Sequence, residues 1–290
     1  MPELPEVQTI VNDLRPLLVN KFIIQIVTTD NRLSNLVSTK NQTLINNQKI
    51  VDLFRRAKNL VIQLANNYYL VVHLKMTGQL IWLGNGQWLA GGHPTKDLTT
   101  NFQPEWPNKS TRAIIKLSDN SQLFFNDIRK FGWLKLMSTQ EWINYQESLG
   151  IEPLDGHFSL IKLQSILAKR PKSRLKPLLL DQHYLVGLGN IYVDESLFAA
   201  RLKPDRLAGS LKTSEIKKLQ QSIISILTQA VAKRGTSFSD YRDGRGQRGN
   251  FSQQLQVYGR SQQKCLICGQ PITKIKLAGR GTHFCSNCQK

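Results

Sequence analysis

The first 264 of the chain's 290 residues contain no cysteine, and all four cysteines fall in the last 26. Acids are scarce near that C-terminal end. Residues 241–290 carry nine Lys or Arg and a single acid, Asp243, a surplus of eight positive charges. A second stretch, Lys162, Lys169, Arg170, Lys172, Arg174 and Lys176, runs to Asp181 with no acid between. No segment reaches the roughly 18 continuous apolar residues of a membrane span, and the opening residues lack a basic region followed by an apolar one. These absences argue against a membrane protein and against a disulfide-stapled secreted scaffold. A soluble protein of the cytoplasm or nucleoid is expected.

What is present is positive charge. Lys and Arg number 39 against 20 Asp and Glu, giving +19 and an isoelectric point near 10.0. That is the balance of a protein that works on a polyanion. The count alone fits DNA, RNA and a membrane surface equally. Its placement is more informative, because residues 1–50 hold five basic against four acidic side chains, so the surplus gathers toward the C-terminus. At 33.0 kDa with 40% apolar residues, the chain has room for two or three ordinary cores.

The cysteines read Cys265-Leu-Ile-Cys268, sixteen residues, then Cys285-Ser-Asn-Cys288. Two C-x2-C turns at this spacing suit one tetrahedral zinc held by four thiolates, with residues 274–282 as a hairpin between them. Four protein ligands leave no open position for water or substrate, so the metal is expected to be structural. Arg280 lies between Gly279 and Gly281 near the hairpin tip. Its guanidinium could grip phosphate bidentately, or it could be a solvated arginine on a turn.

Runs rich in β-forming residues predict strands at 22–28, 49–54, 59–64, 69–74, 112–117 and 122–125 after a first helix ended near Pro16. A Gly-, Pro- and Asn-rich loop is expected over 83–110. The period then turns helical, with helices at 139–149, 160–168, 175–180, 191–200 and 213–233. Gly150 to Pro153 marks a break. The expected fold class is α+β multidomain: an N-terminal β-sandwich over 1–150, a helical domain over 151–240, and a C-terminal segment over 241–290 that ends in the zinc-finger hairpin. Between two helices, Gly187-Leu188-Gly189-Asn190 forms a turn that hands Asn190 to a helix start, a potential anion site.

The opening Met1-Pro2-Glu3-Leu4-Pro5-Glu6-Val7 has two readings. Pro5 and Glu6 before Val7, Ile10, Val11 and Leu14 are signals of a helix start. If Met1 is removed, however, Pro2 presents a free secondary amine beside a carboxylate. Such an amine can attack an electrophilic carbon, and its adduct with a sugar C1′ is a permanently cationic iminium, an electron sink.

Several further motifs lie in order along the chain: Arg55-Arg56-Ala57-Lys58, His73-Leu74-Lys75-Met76-Thr77-Gly78, Asn126-Asp127-Ile128-Arg129-Lys130-Phe131-Gly132 and Gln256-Val257-Tyr258-Gly259-Arg260. With the opening, the 187–192 turn and the cysteine ribbon, this ordered set resembles the bacterial formamidopyrimidine-DNA glycosylases, base-excision repair enzymes of the endonuclease VIII superfamily, nearly end to end.

The resemblance implies a β-sandwich joined to a helix–two-turns–helix domain and a zinc finger, with double-stranded DNA bound between them, no membrane partner and a monomeric enzyme. It implies Pro2 as nucleophile, Glu3 as the acid that protonates the opening sugar ring, and Glu6 as a partner of the displaced sugar or base. It implies Lys58 as an aid to departure of the oxidised purine and Arg280 as an aid to δ-elimination. Met76, Arg129 and Phe131 match void-filling residues, and a flipped-out nucleotide leaves such a void. His73, Lys176 and Asn190, with Arg280, match phosphate-gripping positions, and residues 236–254 match a loop over the extruded base. The chain departs from the pattern at Ile128, where many members carry proline, at Ser110 and Arg112, where many carry histidine, and in the long 83–110 loop. Two rival readings are an endonuclease VIII-type enzyme for oxidised pyrimidines and a non-catalytic DNA-binding protein on the same scaffold.

Overall fold

A computed structural model describes residues 1–92, 106–236 and 249–290. It resolves into two compact units, one of Met1–Glu147 with Arg234–Asn250 and one of Ser148–Lys233 with Phe251–Lys290.

The first unit opens with helix α1 (Leu4–Leu18), whose Leu4, Val7, Ile10, Val11, Leu14 and Leu18 are buried at helical spacing. The expected stop at Pro16 is too early. Pro16 sits in the last turn, where its missing N–H costs one bond and the helix closes two residues later. Nine strands follow: β1 (Phe22–Thr28), β2 (Gln48–Arg56), β3 (Asn59–Leu64), β4 (Tyr69–His73), β5 (Gly78–Gly84), β6 (Gln87–Gly92), β7 (Thr111–Leu117), β8 (Gln122–Asp127) and β9 (Trp133–Met137). All neighbours are antiparallel, in the order β6-β5-β8-β7-β1-β2-β3-β4-β9. The β1–β2 junction pairs only Phe22 with Lys49 and Ile23 with Gln48. Buried residues from both sides of that junction, including Leu53, Ile62, Leu70 and Leu80, Ile115, Phe125, join α1 in one apolar cluster. The two halves of the strand order thus share a core, which is the packing of a sandwich.

Part of the expected 83–110 loop is strand. β5 and β6 form a hairpin through Asn85 (φ +51°) and Gly86 (φ +70°), an Asn-Gly turn with both central residues left-handed. Residues 93–105 of that loop lie outside the described residues. A short helix α2 (Thr39–Ile45) is capped by Ser38, and α3 (Thr139–Glu147) buries Trp142 against Tyr69 and Phe54. All five tryptophans, at 82, 88, 106, 133 and 142, belong to this unit.

The second unit contains α4 (Leu160–Lys169), α5 (Leu175–Leu180), α6 (Asn190–Ala200), α7 (Thr213–Ala232) and a hairpin of β10 (Thr273–Leu277) and β11 (Arg280–Phe284). Ser159 caps α4 by accepting from the Lys162 N–H at 3.3 Å. The α5–turns–α6 segment is the expected helix–two-turns–helix, and α6 is buried on nearly every face. Its Glu195 accepts backbone N–H groups of Gln256, Val257 and Tyr258 at 2.8–2.9 Å, which ties the chain leading into the cysteine hairpin to the helices. Among the described residues no helix is long and apolar enough to cross a membrane.

Candidate active site and nucleic-acid interface

Pro2 and Glu3 are buried immediately before α1, and Glu3 is its capping residue. One Glu6 oxygen accepts the Glu3 N–H at 2.8 Å, the return contact of a capping box. The other Glu6 oxygen accepts the Thr236 N–H at 2.7 Å. Gly235 makes that approach possible: its φ is +81°, and a Cβ there would stand 2.7 Å from the Glu6 carboxylate. Arg234 pairs with Asp13 of α1 at 2.5 Å. Glu6 therefore holds the backbone at 234–236 to the helix start. Of the expected loop over 236–254, residues 237–248 lie outside the described residues; Thr236 and Asn250 form a β-bridge between its two ends, and Phe251–Gln254 is a short helical turn.

The α-amine is the electrostatic centre of this corner. Burial lowers its pKa, the carboxylates of Glu3 and Glu6 oppose that shift, and the Lys58 ammonium adds to it. Lys58 follows Ala57, which takes φ +56°, in the tight β2–β3 turn, and it is 6% exposed. Lys58 also acts on His73, whose pKa falls to about 3, chiefly through burial and then through Lys75 and Lys58. The His73 ring accepts the Lys75 N–H at Nδ1, 2.9 Å. A neutral ring that accepts at Nδ1 carries its proton on Nε2, where it can donate to a phosphate oxygen. The chain start thus brings together Glu3, Glu6, Lys58 and, through Lys58, His73. Met76 and Phe131 are 42% and 54% exposed, and the Arg129 guanidinium lies 4.7 Å over the Phe131 ring.

In the second unit, Asn190 is the first residue of α6, and Gly189 rather than Asn190 occupies the capping position. The Asn190 amide donates to the Gly281 carbonyl at 2.9 Å. Arg280 is exposed and opens β11 after a two-residue turn at Ala278 (φ +46°) and Gly279 (φ +76°). Lys176 requires a correction. It was expected to grip phosphate, but its side chain is 1% exposed: its ammonium sits 2.7 Å from Asp194 and 2.9 Å from the Gly281 carbonyl. A buried cation must be paired, and this one holds the hairpin to α6.

Asp194 and Glu195 were missed in the sequence. Asp194 accepts both the Lys176 ammonium and the His283 N–H, the latter at 2.9 Å. Glu195 has its pKa raised by burial against the pull of three backbone donors. The available signal was two adjacent acids within the otherwise apolar Ile191-Tyr192-Val193 and Leu197-Phe198-Ala199 run of a basic protein, acids that must find partners inside.

The four cysteine sulfurs lie within 4.8 Å of one another, with Cys265 to Cys288 at 3.9 Å and Cys268 to Cys285 at 3.5 Å, and none is in a disulfide. A tetrahedron with Zn–S bonds of about 2.3 Å separates its sulfurs by about 3.8 Å. The donor set and its spacing fit one structural zinc.

A family model described as the formamidopyrimidine-DNA glycosylase N-terminal domain matches residues 1–134, the H2TH domain of the same glycosylase matches 149–241, and a zinc finger found in FPG and IleRS matches 262–290. These matches define a zinc-finger DNA glycosylase of DNA repair. The formamidopyrimidine-DNA glycosylase of Heliobacterium modesticaldum is 40% identical, with all of both chains covered, and that of Streptococcus mutans is 39% identical over the same full coverage. The solved complex of Lactococcus lactis Fpg with abasic-site DNA superposes with a TM-score of 0.84 at 34% identity over 99% of each chain. The chain belongs to the formamidopyrimidine-DNA glycosylase family.

Metal analysis should find one zinc per chain, released by a thiol-reactive mercurial; a metal-free folded protein would contradict the site. Asp194→Asn removes the Asp194 charge from the buried Lys176 ammonium and should cost about 3–5 kcal/mol, read by denaturant titration, whereas the double change Asp194→Leu with Lys176→Met should cost less. His73 binds its proton only near pH 3 when folded but near 6.5 when unfolded. Its neutral form is the one folding favours, so its contribution to stability is present above pH 6.5 and is lost as the pH falls toward 3. A His73→Gln variant should lose that part of the pH dependence of stability.

Proposed function

We propose that the protein is a bifunctional DNA glycosylase and abasic-site lyase that excises oxidised purines, 8-oxoguanine and formamidopyrimidines, from double-stranded DNA, acting as a monomer. The observation that carries this reading is the environment of the chain start. A terminal amine whose pKa is lowered by burial has a larger unprotonated fraction near neutral pH, which is the nucleophilic form. Removal of Met1 transfers that amine to the ring nitrogen of Pro2, one Cα step of about 3.8 Å further along the chain and directly beside Glu3.

In this reading the Pro2 nitrogen forms a bond to C1′ as the C1′–base bond breaks. Glu3 protonates the ring oxygen, which opens the sugar, and loss of the amine proton leaves a cationic iminium. That cation accepts electrons when a C2′ proton is abstracted and the C3′–O bond breaks, releasing the 3′ phosphate. A second proton loss expels the 5′ phosphate from C5′. Lys58 assists departure of the base, which must leave with an added proton or a hydrogen bond in place. Arg280 neutralises charge developing on a departing phosphate. Neutral His73 and the amide of Asn190 donate to backbone phosphates, contacts that set register and affinity more than lesion choice. Glu6, with its oxygens engaged by the N–H groups of Glu3 and Thr236, acts by positioning the terminus.

Displacement of a purine leaves its partner base unopposed. Met76 and Phe131 supply apolar wedge area and Arg129 supplies donors for the orphaned base. A second reading, removal of oxidised pyrimidines, has one specific support: a Lactococcus lactis FPG was solved with oxidised-pyrimidine DNA, at 34% identity to this chain.

Borohydride should trap a covalent protein–DNA adduct from protein whose mature first residue is Pro2, as verified by mass spectrometry. Pro2→Gly and Glu3→Gln should reduce trapping and nicking by at least about a hundredfold, the scale of a lost nucleophile or general acid. Equal trapping by either variant would refute the assignment. Paired nicking assays on 8-oxoguanine and thymine glycol duplexes should favour the purine, and the reverse preference would select the pyrimidine reading.

A further inference from the structure

Two loops carry the exposed wedge residues: 74–77 between β4 and β5, and 128–132 between β8 and β9. Among the described residues the polar side-chain contacts between them meet at Thr77. The Thr77 hydroxyl donates to one oxygen of the Asp127 carboxylate and accepts the Arg129 N–H at 3.1 Å. A hydroxyl has one proton to give, and here its donor and acceptor roles are each used across the loops. The other Asp127 oxygen accepts the Gly132 N–H at 2.6 Å, and the Asp127 carboxylate is buried. Only glycine fits at 132, because a Cβ there would lie 2.8 Å from the Phe125 ring and 3.1 Å from both the carboxylate and the His73 carbonyl.

Two arginines brace the second loop from outside. The Arg112 Nε donates to the Asp127 carbonyl at 2.8 Å, and Arg32 donates to the Lys130 carbonyl. Arg112 stands where many relatives were expected to carry histidine, and its side chain here serves the loop. By contrast, the residues between Asp127 and Gly132 bury little: Ile128 and Phe131 are 53% and 54% exposed, and Arg129 and Lys130 face solvent. Among the described residues little apolar packing holds this loop, so its shape is set by the strand pairing at its ends, Gly78 with Asp127 and His73 with Trp133, and by the contacts through Thr77, Asp127 and the two arginines.

We infer that Thr77 and Asp127 are positioning residues: a hydrogen-bonded lock that holds Met76, Arg129 and Phe131 as one pre-shaped wedge before DNA arrives, with Arg112 and Arg32 as its braces. The inference deepens the proposed function and rests on that reading of the wedge. A wedge that is already ordered does not spend binding free energy on ordering itself, and small errors in its placement cost rate. Because the lock ties exposed loops and not the core, removing it leaves the fold intact.

The test uses the full-length protein and duplexes carrying a tetrahydrofuran abasic analogue opposite 2-aminopurine, whose fluorescence reports disturbance of the orphaned base without any cleavage. Wild type and Thr77→Ser should give the full fluorescence change on binding. Thr77→Val and Asp127→Asn should give a much smaller one at saturation, with melting temperatures within a few degrees of wild type. In parallel, Thr77→Val should lower incision of an abasic duplex by about tenfold or more while incision of a single-stranded abasic oligonucleotide, which has no orphaned base, stays near the wild-type rate. Unchanged fluorescence and incision in Thr77→Val would overturn the lock, as would equal losses on duplex and single strand. A wild type that disturbs 2-aminopurine yet incises neither substrate would remove the enzymatic reading while leaving the lock standing.

Discussion

A helix must satisfy the N–H groups of its first turn, and in this protein that requirement falls almost at the chain terminus. α1 begins at Leu4, is driven into the core by Leu4, Val7, Ile10, Val11, Leu14 and Leu18, and has its start tied down by Glu6. The first residues of most chains fray because nothing holds them. Here Pro2 and Glu3 are buried ahead of the helix, so the chain start inherits the rigidity of the sandwich unit. The same carboxylate that returns to Glu3 also accepts from Thr236, so a segment more than 200 residues away in sequence is tied to the same corner. Glu6 thus holds two stretches of backbone, the helix start and residue 236, at one point.

The second unit solves a different problem, that of anchoring a small hairpin whose own core is slight. Around the metal ligands, among the described residues, only Phe198, Val257, Ile272 and the cysteines themselves cluster. The helices compensate with charge placed inside: Asp194 takes the Lys176 ammonium and a hairpin N–H, and Glu195 takes three N–H groups of the approaching chain. Desolvating these groups is costly, and each is saturated with donors, the condition under which buried charge gives a defined geometry. The hairpin turn that displays Arg280 is oriented by that geometry, through the Gly281 carbonyl that both Lys176 and Asn190 reach.

Much of this was legible in the sequence, for physical reasons that differ by element. Strands formed by runs of β-branched and aliphatic residues, such as β1 and β3, and helices with a continuous apolar face, such as α5 and α7, emerged at or near their observed ends. The cysteine spacing specified its tetrahedron directly. β5 and β6 escaped notice because Gly78, Gly84, Gly91 and Gly92 weaken the strand pattern, although Asn85-Gly86 was a hairpin signal in plain view. The role of Lys176 could not be read, since a lysine in a basic run looks like surface until the acid that buries it, eighteen residues on, is placed beside it. Arg112 was equally opaque: only tertiary structure reveals that its partner is the Asp127 carbonyl.

The distribution of indoles and thiols, one kind confined to each unit, has a practical consequence. All five tryptophans lie in the sandwich unit and all four cysteines in the helical one. Tryptophan fluorescence, excited selectively, therefore follows melting of the sandwich unit, and alkylation kinetics follow the finger. The two halves can be watched separately in a single cuvette, without attaching any dye.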